Sequence, residues 1–512
     1  MRRIALFIFV LLVGPGTISV NAQGVPCVAG KLTSPASGEV HPCNAVTLLG
    51  HVKAADMGQA VGLNDMWGWA DPESDLEVVL SGWADGISVI DVTDPTNPKY
   101  IALIPKTAGT RASVWRDIKV YKNHAFIVSE AAGHGVQVVD LTALRGHTGD
   151  RQVLLPVVTY TNVNRAHNIV INEETGFAYA VGTSGGESCG GGLHAINISS
   201  PEAPTFAGCI TDLRSRLGYT HDSQCVVYHG PDTHFVGKEI CFSSNEDSIS
   251  IVDVSDKLNP AFLGLATYAN SQYVHQAWLS EDQKYLFQND ELDEYQHVVT
   301  HTRTMVWDVT DLNDPVLAKE FISANTSIDH NMYVKGNRLY QSNYIDGLHV
   351  LDISDPTNPA EAAFFDTHPQ TFTSVWDGTW SNYPYLRSGA VAIASDPDGV
   401  FIICLAGQVC TNQAVDAESE LQLPTGITLD PAYPNPFNPA TTVRYTLAEA
   451  TTVRLSVSDA LGREVAILVD SQLVPAGSHT AEFYGSSLPS GTYLVRLEAN
   501  GIVKTRQVVL LK

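Results

Sequence analysis

The sequence is poor in charge. Asp, Glu, Lys and Arg make up 17% of its 512 residues, too few for a disordered chain or a coiled coil. Basic residues are the scarcer sign. Lys plus Arg total 30 against 55 Asp plus Glu, a formal net charge of −25. Without a basic footprint a nucleic-acid partner is disfavoured, and so is an anionic membrane surface; the acidity serves solubility. After the extreme N-terminus no stretch approaches the ~18 apolar residues of a membrane-spanning helix, so no transmembrane span is expected. There is no Cys-x-x-Cys to make a cysteine zinc site. Gly-x-Ser-x-Gly and His-Glu-x-x-His are absent too, which removes the nucleophile elbow and the zinc helix. Long helical patterns are few, while Gly (40) and Pro (26) are plentiful and 44% of residues are apolar. This is the composition of a turn-rich β protein with material for a large core. The length allows roughly two to four domains.

Arg2 and Arg3, the apolar run Ile4 to Val13 and the small residues around Ala22 read as an export signal cleaved after Ala22. The eight Cys that follow are an even number, suited to an oxidising compartment. Chain neighbours suggest Cys27–Cys43, Cys189–Cys209, Cys225–Cys241 and Cys404–Cys410 as disulfides, although sequence alone leaves the connectivity open.

One phrase recurs. It reads Gly86-Ile-Ser-Val-Ile-Asp-Val-Thr-Asp-Pro-Thr-Asn-Pro98, and returns at Ser248 to Pro260 and Gly347 to Pro359. Weaker copies start at Gly135, Gly192 and Thr304. Alternating β-branched residues make a strand, and Asp and Pro make the turn that ends it. Upstream of each copy a polar dipeptide opens another strand: Asn64-Asp65, Arg116-Asp117, His167-Asn168, His221-Asp222, His275-Gln276, His330-Asn331 and Trp380-Ser381. Successive gaps are 52, 51, 54, 54, 55 and 50 residues. Seven units at a period of ~50 predict an all-β fold, a seven-bladed β-propeller of four-stranded blades. The seventh unit runs out before its last strand, and Val46 to Val52 is expected to supply it and close the ring. The predicted organisation is a signal peptide over 1–22, a lead-in over 23–43, the propeller over 44–410 and a polar, acidic linker over 411–428. Residues 429–512, with about seven short alternating strands, read as a small Ig-like β-sandwich.

Residues 44–410 closely resemble the choice-of-anchor B family of exported proteins, built of LVIVD-type repeats. The resemblance rests on Asn64-Asp-Met-Trp-Gly-Trp69, Trp115 to Tyr121, Ala166 to Ile171, Tyr219-Thr-His-Asp222, Asn289 to Glu294, Asp329-His-Asn331 and Trp380 to Tyr385. It implies a propeller paired with a surface-sorting tail and no established catalytic activity. The tail resembles a type IX secretion (type A) sorting domain through Tyr433-Pro-Asn-Pro-Phe437, Asp459 to Arg463, Gly491-Thr-Tyr493 and Lys504 to Lys512. It is also similar to the Ig-like unit of flagellar hook-capping proteins, but its position after an exported domain favours sorting. The implied partner is the type IX secretion machinery, and the implied location is extracytoplasmic, secreted or attached to the outer cell surface.

If each dipeptide opens an inner strand, all seven converge on one mouth of the central channel. Arg116, Asp117, His167, Asn168, His221, Asp222, His275, Gln276, His330 and Asn331 are then candidate ligand-binding residues. Loops on the same face carry Glu130, His134, Glu246 and Asp247, and an acidic stretch, Asp290, Glu291, Asp293 and Glu294, followed by an insert with His297 and His301. His167, His221, His275 and His330 with those four carboxylates form a candidate site for Ca²⁺ or a transition metal. The competing reading is structural: a polar dipeptide repeated in every blade locks each blade to the next. Trp67, Trp69, Trp115 and Trp380 are either stacking platforms or inter-blade core, and the Gly185 to Gly192 loop, lacking a following helix, is no phosphate cradle. The expected function is an exported binding or interaction module for an extracellular ligand, protein or glycan. The alternative is a metal-assisted hydrolase or lyase at the same mouth.

Overall fold

The computed structural model describes residues 24–58, 61–370 and 374–410, and residues 428–511 except 430–434, 436, 448–450, 460–462, 475–476, 486–487 and 501. The expected signal peptide, almost all of the expected linker, and residues 433, 434 and 436 of the Tyr433–Phe437 motif lie outside the described residues. The chain divides into two compact units after residue 412. Among the described residues there are strands and four short 3-10 turns but no α-helix.

The larger unit contains seven sheets with a common four-stranded antiparallel plan, lettered A to D outward. The first runs Met66–Ala70, Glu77–Trp83, Gly86–Asp91 and Lys99–Pro105. The fourth runs Asp222–Val227, Glu239–Ser244, Ile249–Asp253 and Ala261–Ala266. The other A strands are Arg116–Tyr121, Asn168–Asn172, Val274–Leu279, Met332–Lys335 and Gly378–Tyr383. Each A strand packs against the A strand of the next sheet, and the last packs against the first, so the ring closes. Its seventh sheet is completed by the N-terminal strand Val46–Lys53, antiparallel to Gly399–Leu405 with Val400 opposite Val52. Val40–Asn44 adds to the outside of the sixth sheet and Val25–Pro26 to the seventh.

Burial explains why the middle strands are continuous apolar runs rather than alternating ones. Both of their faces are covered by neighbouring sheets. Val78, Val79 and Leu80 are all buried, as are Ile249, Ile251 and Val252. Seven apolar clusters occupy the seven interfaces between successive sheets. One joins the first to the second through Val89 and Ile127, and another joins the seventh back to the first through Ile402 and Val79. The recurring Asp residues act as turn caps. Asp94 accepts from Thr96 N (2.9 Å) and Asp355 from Thr357 N (3.1 Å), while Asp91, Asp253 and Asp352 each hold the backbone N–H two residues on. Those bonds stop strand C and start the turn to strand D.

All four disulfides join chain neighbours: Cys27–Cys43, Cys189–Cys209, Cys225–Cys241 and Cys404–Cys410. Cys225 and Cys241 face each other across strands A and B of the fourth sheet.

The smaller unit is a two-sheet sandwich. Thr428–Leu429, Ala440–Leu447 and Gly477–Tyr484 form one sheet. Glu464–Val474, Thr451–Asp459, Gly491–Ala499 and Ile502–Leu510 form the other. Between them lie Phe437, Tyr445, Leu455, Phe483 and Val495.

Candidate functional site

The seven dipeptides do reach the channel, but their two residues part company. The second residues point into the channel and bond blade to blade. Asp117 accepts from Lys119 Nζ at 2.6 Å and, across the interface, from Ile169 N at 2.9 Å. Gln276 donates to Asp222 at 2.9 Å. Asn331 donates to Asp65 at 2.8 Å, and Ser381 does so at 2.7 Å. Asn168 is buried among them. Burial, with Asp117 close by, pushes Asp65 up to about 7, and burial raises Asp222 to about 6, with Lys119 holding it back. This tier matches the structural reading.

Of the first residues, the four histidines and Trp380 line the mouth. His221 N and His330 N donate to the ends of strand B, at Ser244 O and Ser342 O (2.8 and 2.7 Å), which fixes each imidazole at the same height. His167, His221, His275 and His330 form a tilted stack, with consecutive ring centroids 4.3, 4.4 and 4.3 Å apart and ring planes inclined by 47°, 45° and 44°. His221 Nδ1 lies 2.9 Å from His275 O, and His330 Nδ1 lies 2.6 Å from Trp380 O. A carbonyl only accepts, so both Nδ1 atoms carry the proton and both Nε2 atoms keep a lone pair. His167 Nδ1 lies 2.6 Å from Glu130 Oε1. A hydrogen bond from the far nitrogen is how metal-binding imidazoles are oriented. His167, His221 and His330 therefore lock neighbouring blades with one nitrogen and leave the other free, whereas His275 Nδ1 is buried without a partner.

Glu291, from the B–C loop of the fifth sheet, completes the arrangement. Its Oε2 is 3.9 Å from His275 Nε2 and its Oε1 is 3.6 Å from His330 Nε2. Tyr344 donates to Oε1 at 2.7 Å. One ligand atom each from His275, Glu291 and His330 lies within 4.8 Å of the others. Burial lowers His330 to about 3 and depresses His221 and His275 well below the usual histidine range. Burial works against a charge on His167 as well, but its hydrogen bond to Glu130, together with the charges of Glu130, Asp222 and Glu291, outweighs burial and raises its pKa. Burial pushes Glu291 up to about 7 against the Tyr344 hydrogen bond. These groups open on a cavity of about 380 Å³ walled by Trp115, Tyr273, Trp376 and Trp380.

Other expected residues go elsewhere. Arg116 turns to Trp83 O and to His134 Nε2, at 3.2 and 2.8 Å. Asp247 ties its loop to the segment before strand A, accepting from Ser215, Ser248 and Arg216 N, and Glu246 pairs with Arg216 at 2.9 Å. Asp290 is clamped by Tyr268, Gln272 N and Tyr273 N. Asp293 pairs with Arg303. Glu294 is buried beside it, and burial with the Asp293 neighbour pushes it up to about 10. The acidic stretch thus serves three separate places. Trp69 is inter-blade core, bonded to Asn123 at 3.1 Å, whereas Trp67 lies at a second cavity, of about 500 Å³, with Trp278, Tyr383 and Tyr385.

Tyr273, Tyr344 and Trp376 were not anticipated. A signal existed for the first: Tyr219-Thr-His221 and Tyr273-Val-His275 repeat a Tyr-x-His spacing. Tyr344 follows a strand B, in the loop position that Glu291 occupies one sheet earlier.

Comparisons with known proteins agree with the two-part organisation. Residues 330–367 match the LVIVD repeat and residues 431–511 match the secretion system C-terminal sorting domain. No curated protein matches the chain. Among solved structures, a functionally unknown protein from Desulfotomaculum acetoxidans is 15% identical, over 57% of this chain and 83% of its own, with a TM-score of 0.39. A Lactobacillus plantarum protein is 12% identical, over 82% and 98%, with a TM-score of 0.40. The extracellular domain of a one-component system from B. thetaiotaomicron is 11% identical, over 95% and 62%, also at 0.40. TM-scores below 0.5 decide neither fold nor function. No helix is long and apolar enough to cross a membrane. With LVIVD-repeat sequence in its ring of sheets and a type IX sorting domain behind it, the chain is an exported, repeat-built β-propeller protein, secreted or delivered to the cell surface.

Proposed function

We propose that the propeller is an extracellular binding module whose channel mouth holds a divalent transition-metal ion on His275 Nε2, His330 Nε2 and Glu291. One observation carries this reading. Two neutral imidazoles and one carboxylate already converge within 4.8 Å, and His330 is oriented through its other nitrogen. Metal–ligand bonds of roughly 2.0–2.2 Å need only a small contraction of that triangle. Imidazoles kept neutral by burial are ready to bind without losing a proton. Three protein ligands leave coordination open towards the aromatic-walled cavity, where an oxygen-bearing group of an extracellular partner would complete the shell. The domain plan fits this use: a leader over 1–22 for export, the binding ring over 44–410, and a tail over 429–512 that delivers it.

Elemental analysis of the purified protein tests the reading, after exposure to Zn²⁺, Mn²⁺ and Fe²⁺ in turn. About one equivalent of one metal is expected, and it should be lost in a His275→Ala, His330→Ala double variant. Wild-type protein that retains no metal after gel filtration would reduce the stack to a blade lock.

A further inference from the structure

A second cluster of charge lies beside the first, and the metal proposed above does not account for it. Asp293, Glu294 and Asp329 are 0%, 6% and 0% exposed. Among the described residues the only cation paired with them is Arg303, whose Nε lies 2.9 Å and Nη2 2.7 Å from Asp293 Oδ2. Neither oxygen of Glu294, and neither of Asp329, meets a hydrogen-bond donor among the described residues. Three carboxyl groups share one guanidinium, so Glu294 and Asp329 can ionise together only if a further cation joins them. An uncompensated buried charge is costly enough that such groups are found paired or bound to a metal.

A further orphan lies close by in the sixth sheet. Asn343 is fully buried, and neither its Oδ1 nor its Nδ2 has a partner. Its backbone carbonyl accepts from Ser327 Oγ at 2.5 Å, and Ser327 shares with Glu294 the wall of a cavity of about 520 Å³. Strand pairing in the sixth sheet brings Asn343 next to the Asp329–His330 step. The unsatisfied atoms are oxygens and one amide nitrogen, with no imidazole lone pair among them. A hard cation that takes six to eight oxygen ligands suits this set, and a transition metal does not.

We propose that Glu294, Asp329 and the Asn343 side-chain oxygen form a Ca²⁺ site in the cleft between the fifth and sixth sheets. The ion supplies the positive charge that lets Glu294 and Asp329 ionise together. It also pins the long insert of residues 295–303 to the segment that carries His330. The site does not depend on a metal at the histidines, and the experiment keeps the two apart.

The full exported protein, stripped with EGTA, is titrated with CaCl₂ by calorimetry and melted with and without Ca²⁺. One Ca²⁺ per chain is expected, together with a higher melting temperature in Ca²⁺. Glu294→Gln should weaken Ca²⁺ at least tenfold and abolish the Ca²⁺-dependent rise, while His330→Ala should leave both in place. Asp329→Asn should behave as Glu294→Gln; should it fail to fold, Glu294→Gln on the loop still gives the reading. A wild-type chain that shows neither heat nor a melting shift, or a Glu294→Gln variant that titrates like wild type, would overturn the proposal.

Discussion

His134 shows how single residues divide their work around the mouth. Its Nδ1 donates to Gly135 O at 3.0 Å, and its Nε2 accepts from Arg116 at 2.8 Å. The ring is fully buried. Burial first, and the Arg116 charge second, lower its pKa to about 4. The unfolded chain binds a proton near pH 6.5 that the native state refuses until about pH 4. His134 therefore contributes stability that is complete above pH 6.5 and is lost as pH falls towards 4, up to about 3 kcal/mol. Urea melts at pH 7 and pH 4.5 should show a smaller acid loss in His134→Gln than in wild type; equal losses would disprove the assignment. His330 divides its work differently, with Nδ1 on the neighbouring blade and Nε2 on the cavity. In His330→Gln the side chain can still reach Trp380 O, so the fold is expected to survive while metal affinity falls about tenfold or more. Elemental analysis beside a melting curve reads both effects.

Within an element, the turn and the core carry separate costs. Asp355 holds Thr357 through N and Oγ1 at 3.1 and 2.8 Å in an exposed turn. Asp355→Ala should cost about 1 kcal/mol. Ile402, fully buried on strand C of the seventh sheet, should cost about 2–5 kcal/mol as Ile402→Ala. Chemical denaturation that ranks the two the other way would refute this account of the blade. The difference also explains what the sequence made readable. A blade is a local object, so alternating β-branched residues followed by Asp-Pro or Asp-Lys announce it within a dozen positions. The dipeptides are readable for the same reason, since each opens an A strand. Which of their residues faces the mouth is not local. Asp222 and His221 are adjacent, yet one joins Gln276 in the channel and the other stacks on His275, because successive strand residues point in opposite directions. Asp329 stands in a motif the sequence displays but Asn343 does not, since their nearness comes from the pairing of strands A and B of the sixth sheet.

At the scale of the whole molecule, the tail and the ring are separate folding units, each with its own core. Removal of residues 429–512 should leave the ring folded, with its melting temperature within a few degrees, and should abolish delivery to the surface or medium. Cell fractionation with a melt of the recovered protein tests both halves of that statement.

The strand Val46–Lys53 finds its partner Gly399–Leu405 only at the far end of the propeller sequence. Synthesised first, it is needed last. A nascent or translocating chain can form sheet after sheet, but it cannot finish the ring until the seventh has emerged. Once it has, its strand C offers an open edge, where a neighbouring molecule's early strand could dock as readily as its own. Timing therefore matters for this protein as much as contact strength. Slow emergence of residues 399–405, or high local concentration during export, should favour rings closed between molecules over rings closed within one.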